Sequence, residues 1–142
     1  MEIVTQAALT PEEIRSEVDH IIAWLRERRL TKLETMYGVG CGSTAAEWLP
    51  AKVALEELAK FIARSEREGL FRPGRSDLWI MTQERDVDNN PKVQFRLCHE
   101  ADIHVVSADV EFLDMVKSHW LDNGWRGYQG TGGMSREWTN FP

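Results

Sequence analysis

The sequence predicts an α+β fold: two N-terminal helices, a small antiparallel sheet of two or three strands, one further helix, and a C-terminal tail rich in glycine and aromatics. Three observations carry that expectation. Capping boxes open two stretches with helical apolar spacing, the segment 93–105 alternates strictly between apolar and polar residues, and turn residues punctuate the joins. The resulting order, α–α–β–β(–β)–α, suits helices packed on one face of an antiparallel sheet.

The first helix is announced by Thr10-Pro11-Glu12-Glu13. Thr10 caps the orphan amides, Pro11 suits the first helical position, and Glu13 completes the box. Ile14, Val18, Ile21, Ile22 and Leu25 then form one apolar stripe, with His20 off it as a surface histidine. The helix runs to about Arg29, or on to Tyr37 before Gly38. A second box, Thr44-Ala45-Ala46-Glu47, opens the next helical stretch, with a kink or fresh start at Pro50. Val53, Leu55, Leu58, Phe61 and Ile62 continue its stripe as far as Gly69.

Arg72-Pro73-Gly74 reads as a turn, Leu78–Thr82 as a short strand, and the acidic run Arg85–Pro91 as the turn after it. Along 93–105, Val93, Phe95, Leu97, His99, Ala101, Ile103 and Val105 take the odd places. Gln94, Arg96, Cys98, Glu100, Asp102 and His104 take the even ones, the pattern of a strand with one buried face. It is one long strand, or two joined by a three-residue turn around Glu100 that pairs Leu97 with Ile103. Asp109 caps a last helix with Phe112, Leu113, Val116 and Trp120 inward, stopped by Asn123-Gly124.

At 142 residues the chain is read as a single α+β domain, 1–142, with 125–142 as a tail that is either flexible or folded. Trp125, Tyr128, Trp138 and Phe141 in that tail favour folding back over the core, or else anchoring a partner. No apolar run is long enough to span a bilayer, so a cytoplasmic protein without membrane contact is expected. Cys41 and Cys98 form no CxxC and read as free thiols. The formal charge of −6 disfavours nucleic acid and favours a basic protein partner. The basic clusters at Arg26–Arg29 and at Arg64, Arg67, Arg72 and Arg75 are interleaved with glutamates, as on solvated helix faces.

Three motifs resemble chemical sites and depart from them at decisive positions. Gly40-Cys41-Gly42, within residues 37–44, resembles the glycine loop of S-adenosylmethionine-dependent methyltransferases, which implies backbone binding of that cofactor. Gly38 stands where that loop carries an acid, and too little chain follows for the sheet such enzymes use, so no cofactor is expected. The same string lacks the lysine of a phosphate loop. Asp86-Val87-Asp88-Asn89-Asn90 opens like an EF-hand loop, but Pro91 stands where its glycine belongs and Leu97 where its glutamate belongs.

The densest chemistry is Leu97–His104, LCHEADIH. Residues two apart on a strand face lie about 6.5–7 Å from each other, so Asp102 and His104 can chelate one metal, with Cys98 or Glu100 reaching the same side. A carboxylate beside a histidine also suits acid–base work. No third ligand with diagnostic spacing stands elsewhere, and His20 and His119 lie on helices without an HExxH pattern. Cys98 and His99, being adjacent, point to opposite faces, which places His99 with the core.

The function expected from these residues is protein–protein binding, as by an inhibitor, immunity-type or adaptor module. Its surface would combine Arg96, Glu100, Asp102 and His104 with Trp125, Tyr128 and Trp138; the six tryptophans suit such a role. The alternative is a small metal-dependent or acid–base hydrolase using Glu100, Asp102 and His104, with Asp102 and His104 as metal ligands. Self-association is left open by the sequence.

Overall fold

The computed structural model describes residues 1–5, 8–38, 50–131 and 138–141. In chain order the elements are β1 (Glu2–Thr5), α1 (Pro11–Glu27), β2 (Lys32–Gly38), β3 (Ala51–Ala54), α2 (Leu55–Arg67) and β4 (Asp77–Thr82). They continue as β5 (Val93–Leu97), β6 (Ile103–Ser107), α3 (Val110–Asp122), β7 (Gly127–Gly130) and β8 (Trp138–Asn140). All eight strands join one antiparallel sheet in the order β3-β2-β4-β5-β6-β1-β7-β8.

This architecture corrects the expected one. Among the described residues a strand precedes the first helix, two strands stand between α1 and α2, and the sheet has eight strands rather than two or three. The reason lies in segments whose spacing serves two structures. Leu30, Leu33 and Tyr37 recur at helical intervals, so the first helix reads on through them. Leu33, Thr35 and Tyr37 equally alternate with Glu34 and Met36, and pairing on both sides, to β3 and β4, selects the strand. The helix stops at Glu27 without a glycine: Arg29 turns left-handed at φ 57°, and the Leu30 amide donates to the Leu25 carbonyl at 3.0 Å. β1, β7 and β8 are only three or four residues long, too short to show a period.

The capping signals behave as the residues require. Thr10 Oγ1 accepts from the Glu13 amide at 3.1 Å while Glu13 Oε1 accepts from the Thr10 amide at 3.0 Å. Asp109 Oδ1 accepts from the Phe112 amide at 3.1 Å to open α3. The glycine loop, Cys41 and the expected box at Thr44–Glu47 lie outside the described residues, as does 132–137 of the tail.

The alternating segment proves to be two strands. Leu97 pairs with Ile103 across a three-residue turn, His99-Glu100-Ala101, in which the Ala101 amide donates to the Cys98 carbonyl and Ala101 takes φ 61°. Val93, Phe95, Leu97, Ile103 and Val105 share one hydrophobic cluster with Ile3, Leu33, Leu78 and Ile80 from other strands and with the inward stripes of all three helices. One sheet face is thus the core. Glu34, Met36, Trp79, Met81, Gln94, Arg96, His104 and Val106 project from the other, and none belongs to that cluster. The described tail folds back: Phe141 is buried and stacks on Trp120 at 6.2 Å, and the Trp125 Nε1–H donates to Glu13 Oε2 at 2.9 Å. No helix among the described residues is long and apolar enough to cross a membrane.

Candidate functional site

Antiparallel pairing brings distant residues into rows across the helix-free face. One row reads Met36, Trp79, Arg96, His104, Val4, Tyr128, each directly opposite the next. Arg96 and His104 are therefore facing cations when His104 is protonated, an unfavourable cross-strand pair by itself. The opposing charge comes from Glu2, two residues before Val4 on the same face of β1. Glu2 Oε1 lies 2.8 Å from His104 Nδ1 and 3.8 Å from Arg96 Nη1, and Glu2 is buried. Arg96 also sits over the Trp79 ring, its guanidinium carbon 4.6 Å from the centroid.

The turn adds two more groups. Because Cys98 follows β5 and Asp102 precedes β6, they face each other, and the Cys98 amide donates to the Asp102 carbonyl at 3.0 Å. Asp102 Oδ1 lies 3.3 Å from His104 Nε2, yet this buried oxygen makes no hydrogen bond among the described residues. Ligand atoms of Cys98, Asp102 and His104 all fall within 4.8 Å of one another, and all three residues are half-buried.

The electrostatics follow from that crowding. Burial alone would lower the His104 pKa, but neighbouring Asp102, Cys98 and Glu2 outweigh it and raise the value to about 11. His104 is thus an imidazolium at neutral pH when no other cation is present. Burial pushes the Cys98 thiol up, against the downward pull of His104. A thiol held in its protonated form is a poor nucleophile, which weighs against a cysteine–histidine mechanism here.

Asp102 and His104 open onto a hollow of about 390 Å³ whose other walls are Val4, Thr5, Tyr128 and Trp138. Four of the residues singled out from sequence therefore meet at one place: Asp102, His104, Tyr128 and Trp138. Arg96 sits beside His104 on the floor. Glu100 and Trp125 do not join them. Glu100 projects from the turn, its carboxylate 4.0 Å from His99 Nε2. Trp125 lies against α1, on a separate hollow with Glu13, Ser16, Glu17, His20 and Asn123. His99 is not in the core: the turn takes it out of the alternation, its side chain is 45% exposed, and Nδ1 sits 2.8 Å from Asp77 Oδ1. That carboxylate, with lesser help from Glu100 and Asp102, raises the His99 pKa against slight burial.

Glu2 was beyond the reach of sequence reasoning, since nothing local marks a glutamate at the start of a four-residue strand as buried. Cys98 carried a signal, its even place in the alternation. A second acid–histidine contact, Glu17 with His119 at 2.9 Å, is a clamp between α1 and α3. Glu17 is buried, and its other oxygen accepts from Trp120 Nε1 at 2.9 Å, so both carboxylate oxygens are satisfied.

Fold and site together define an antiparallel sheet, helix-covered on one face, with a charged floor and an aromatic-walled hollow on the other. No family model matches this chain, and neither a curated protein nor a solved structure matches it.

Proposed function

We propose that the chain acts by binding another protein through the helix-free face of its sheet, in the manner of an inhibitor, immunity-type or adaptor module. The observation that supports this reading is the hollow with Tyr128 and Trp138 in its wall, Trp138 being 37% exposed. Aromatic side chains around a recess are the usual energetic centres of protein interfaces, and a floor of fixed charges gives orientation. The net charge of −6 favours a basic partner through long-range attraction.

The test is quantitative capture from native extract at two salt concentrations. Trp138→Ala and Tyr128→Ala are expected to weaken capture by about 30-fold or more, the scale of an aromatic hot spot. Wild-type capture by both variants would refute the placement. A second reading, an acid–base or metal-dependent hydrolase at Asp102 and His104, is favoured by one observation, the approach of Cys98 to both. Its test is turnover of an ester panel, lost in His104→Ala.

A further inference from the structure

We propose that Cys98, Asp102 and His104 form a site for one divalent transition-metal ion of the zinc class, bordering the hollow beside Tyr128 and Trp138. The site rests on geometry alone and requires neither a docked partner nor a reaction.

The donor set is the first argument. A thiolate, an imidazole and a carboxylate make up the borderline-soft combination that suits zinc and its neighbours and does not suit calcium or magnesium. On binding, the Cys98 thiol and the His104 imidazolium each release a proton to solvent, and the resulting thiolate together with the carboxylate offsets the charge of the divalent ion. Ligands around one tetrahedral zinc stand about 3.3–3.6 Å apart, given bonds of about 2.0–2.3 Å. The three donors already lie within 4.8 Å of each other, so contraction by roughly 1 Å suffices.

The second argument is the orphan oxygen. Asp102 Oδ1 is buried without a hydrogen-bond partner among the described residues, although His104 Nε2 stands only 3.3 Å away. In the ion-free chain the protonated His104 compensates this oxygen by charge without a hydrogen bond, and a metal ion shared with Nε2 would take over that role by direct coordination.

The third is the shell behind the ligands. His104 Nδ1 is held 2.8 Å from Glu2 Oε1, which leaves Nε2 as the coordinating nitrogen and fixes the ring plane. This carboxylate–histidine arrangement is the common support of zinc-bound imidazoles. Arg96 in turn steadies Glu2 from 3.8 Å. Access comes from the hollow, which Asp102 and His104 both line, so an ion held by three protein donors retains a side for water or an incoming ligand.

The experiment uses the full chain, reduced and stripped of metal, titrated with Co²⁺ and then back-titrated with Zn²⁺. Expected are one equivalent of cobalt, a thiolate-to-cobalt charge-transfer band in the near ultraviolet, and visible bands of tetrahedral intensity that zinc abolishes. The charge-transfer band disappears in Cys98→Ser and persists in Cys41→Ser. Affinity falls in Asp102→Asn and His104→Ala by more than the ~10–100-fold typical of an outer-shell loss, and in Glu2→Gln by an amount within that range. Thermal melts of each variant establish that it folds, and Cys98→Ser, nearly isosteric, serves if His104→Ala does not. Absence of the band in the wild type, its dependence on Cys41, or wild-type affinity in both Asp102→Asn and His104→Ala would overturn the site.

Discussion

Glu2 Oε1 sits 2.8 Å from His104 Nδ1, joining residues 102 positions apart in the chain across the boundary between β1 and β6. Each is supported by more than the other: Arg96 approaches Glu2, and Asp102 approaches His104. Glu2→Ala therefore removes the buried anion from between two cations. A loss of about 1.5–3 kcal/mol is expected, the scale of a hydrogen bond to a charged group. Urea denaturation measures it, and a change below about 0.5 kcal/mol, ordinary for an indifferent surface position, would contradict the arrangement.

Gly127 is a place where the sheet and the tail leave no room for a side chain. A Cβ there would strike the Val4 carbonyl oxygen and stand 2.6 Å from Cε2 of Phe141. Gly127→Ala must push β7 from β1 or eject Phe141 from Trp120. Destabilisation of about 1–3 kcal/mol or more follows, with a change in the near-ultraviolet circular dichroism of the Trp120 environment. A variant that melts like the wild type would show that the strand shifts without strain.

The turn that builds the charged floor is not optimised for stability. Ala101 holds φ 61°, a conformation glycine adopts without the Cβ penalty. Ala101→Gly is expected to stabilise by up to about 1 kcal/mol, or a melting temperature roughly 2–4 °C higher for a domain of this size. A lower melting temperature would mean that the Ala101 methyl group contributes more by packing than it costs in strain.

The start of α1 should be sensitive to acid. The Thr10 backbone amide holds the Glu13 carboxyl below its ordinary value of 4.5, against slight burial and with smaller help from the Thr10 hydroxyl and Trp125. A carboxyl whose pKa is depressed by folding stabilises the fold above the unfolded value and ceases to do so as pH falls through the folded one. Carboxyl-detected NMR should thus place the Glu13 midpoint below 4.5. The Thr10 amide should lose exchange protection in the same acid range, and Thr10→Ala should move the midpoint upward. Thr10→Ala keeps the backbone amide and tests only the smaller contribution of the hydroxyl, so it is a Glu13 midpoint at or above 4.5 in the wild type that would remove the amide as the cause.

How much of this was legible in the sequence depended on how local the determinant was. Thr10 and Asp109 act on amides three residues away, so their helices could be read directly. The hairpin was half legible: alternation identified the face of Arg96 and His104, and the three-residue turn was one of two alternatives. What alternation cannot do is count through a turn: it puts Glu100 on the face of His104 and His99 in the core, whereas both project from the turn. The strands Glu2–Thr5 and Lys32–Gly38 were missed because their identity is settled by partners such as Val105 and Ile80, set far away in the sequence. The floor suffers most from this, since its central anion arrives on the least legible strand.

The position of β1 also bears on how the chain folds. Only four residues long, it is hydrogen-bonded on one side to β6 and on the other to β7, both about a hundred or more residues further along. Without it the order of strands breaks into a five-stranded piece, β3-β2-β4-β5-β6, and the detached pair β7-β8. During synthesis this short segment has to wait for about a hundred further residues before β6 emerges, and longer still for β7. Closure of the sheet is then a late, non-local event that carries a large loop-closure entropy, and the edges of β6 and β7 stay open until it occurs. Slow completion of folding, with aggregation through those edges as the competing outcome, is the kinetic consequence of placing the first strand of the chain in the interior of its sheet.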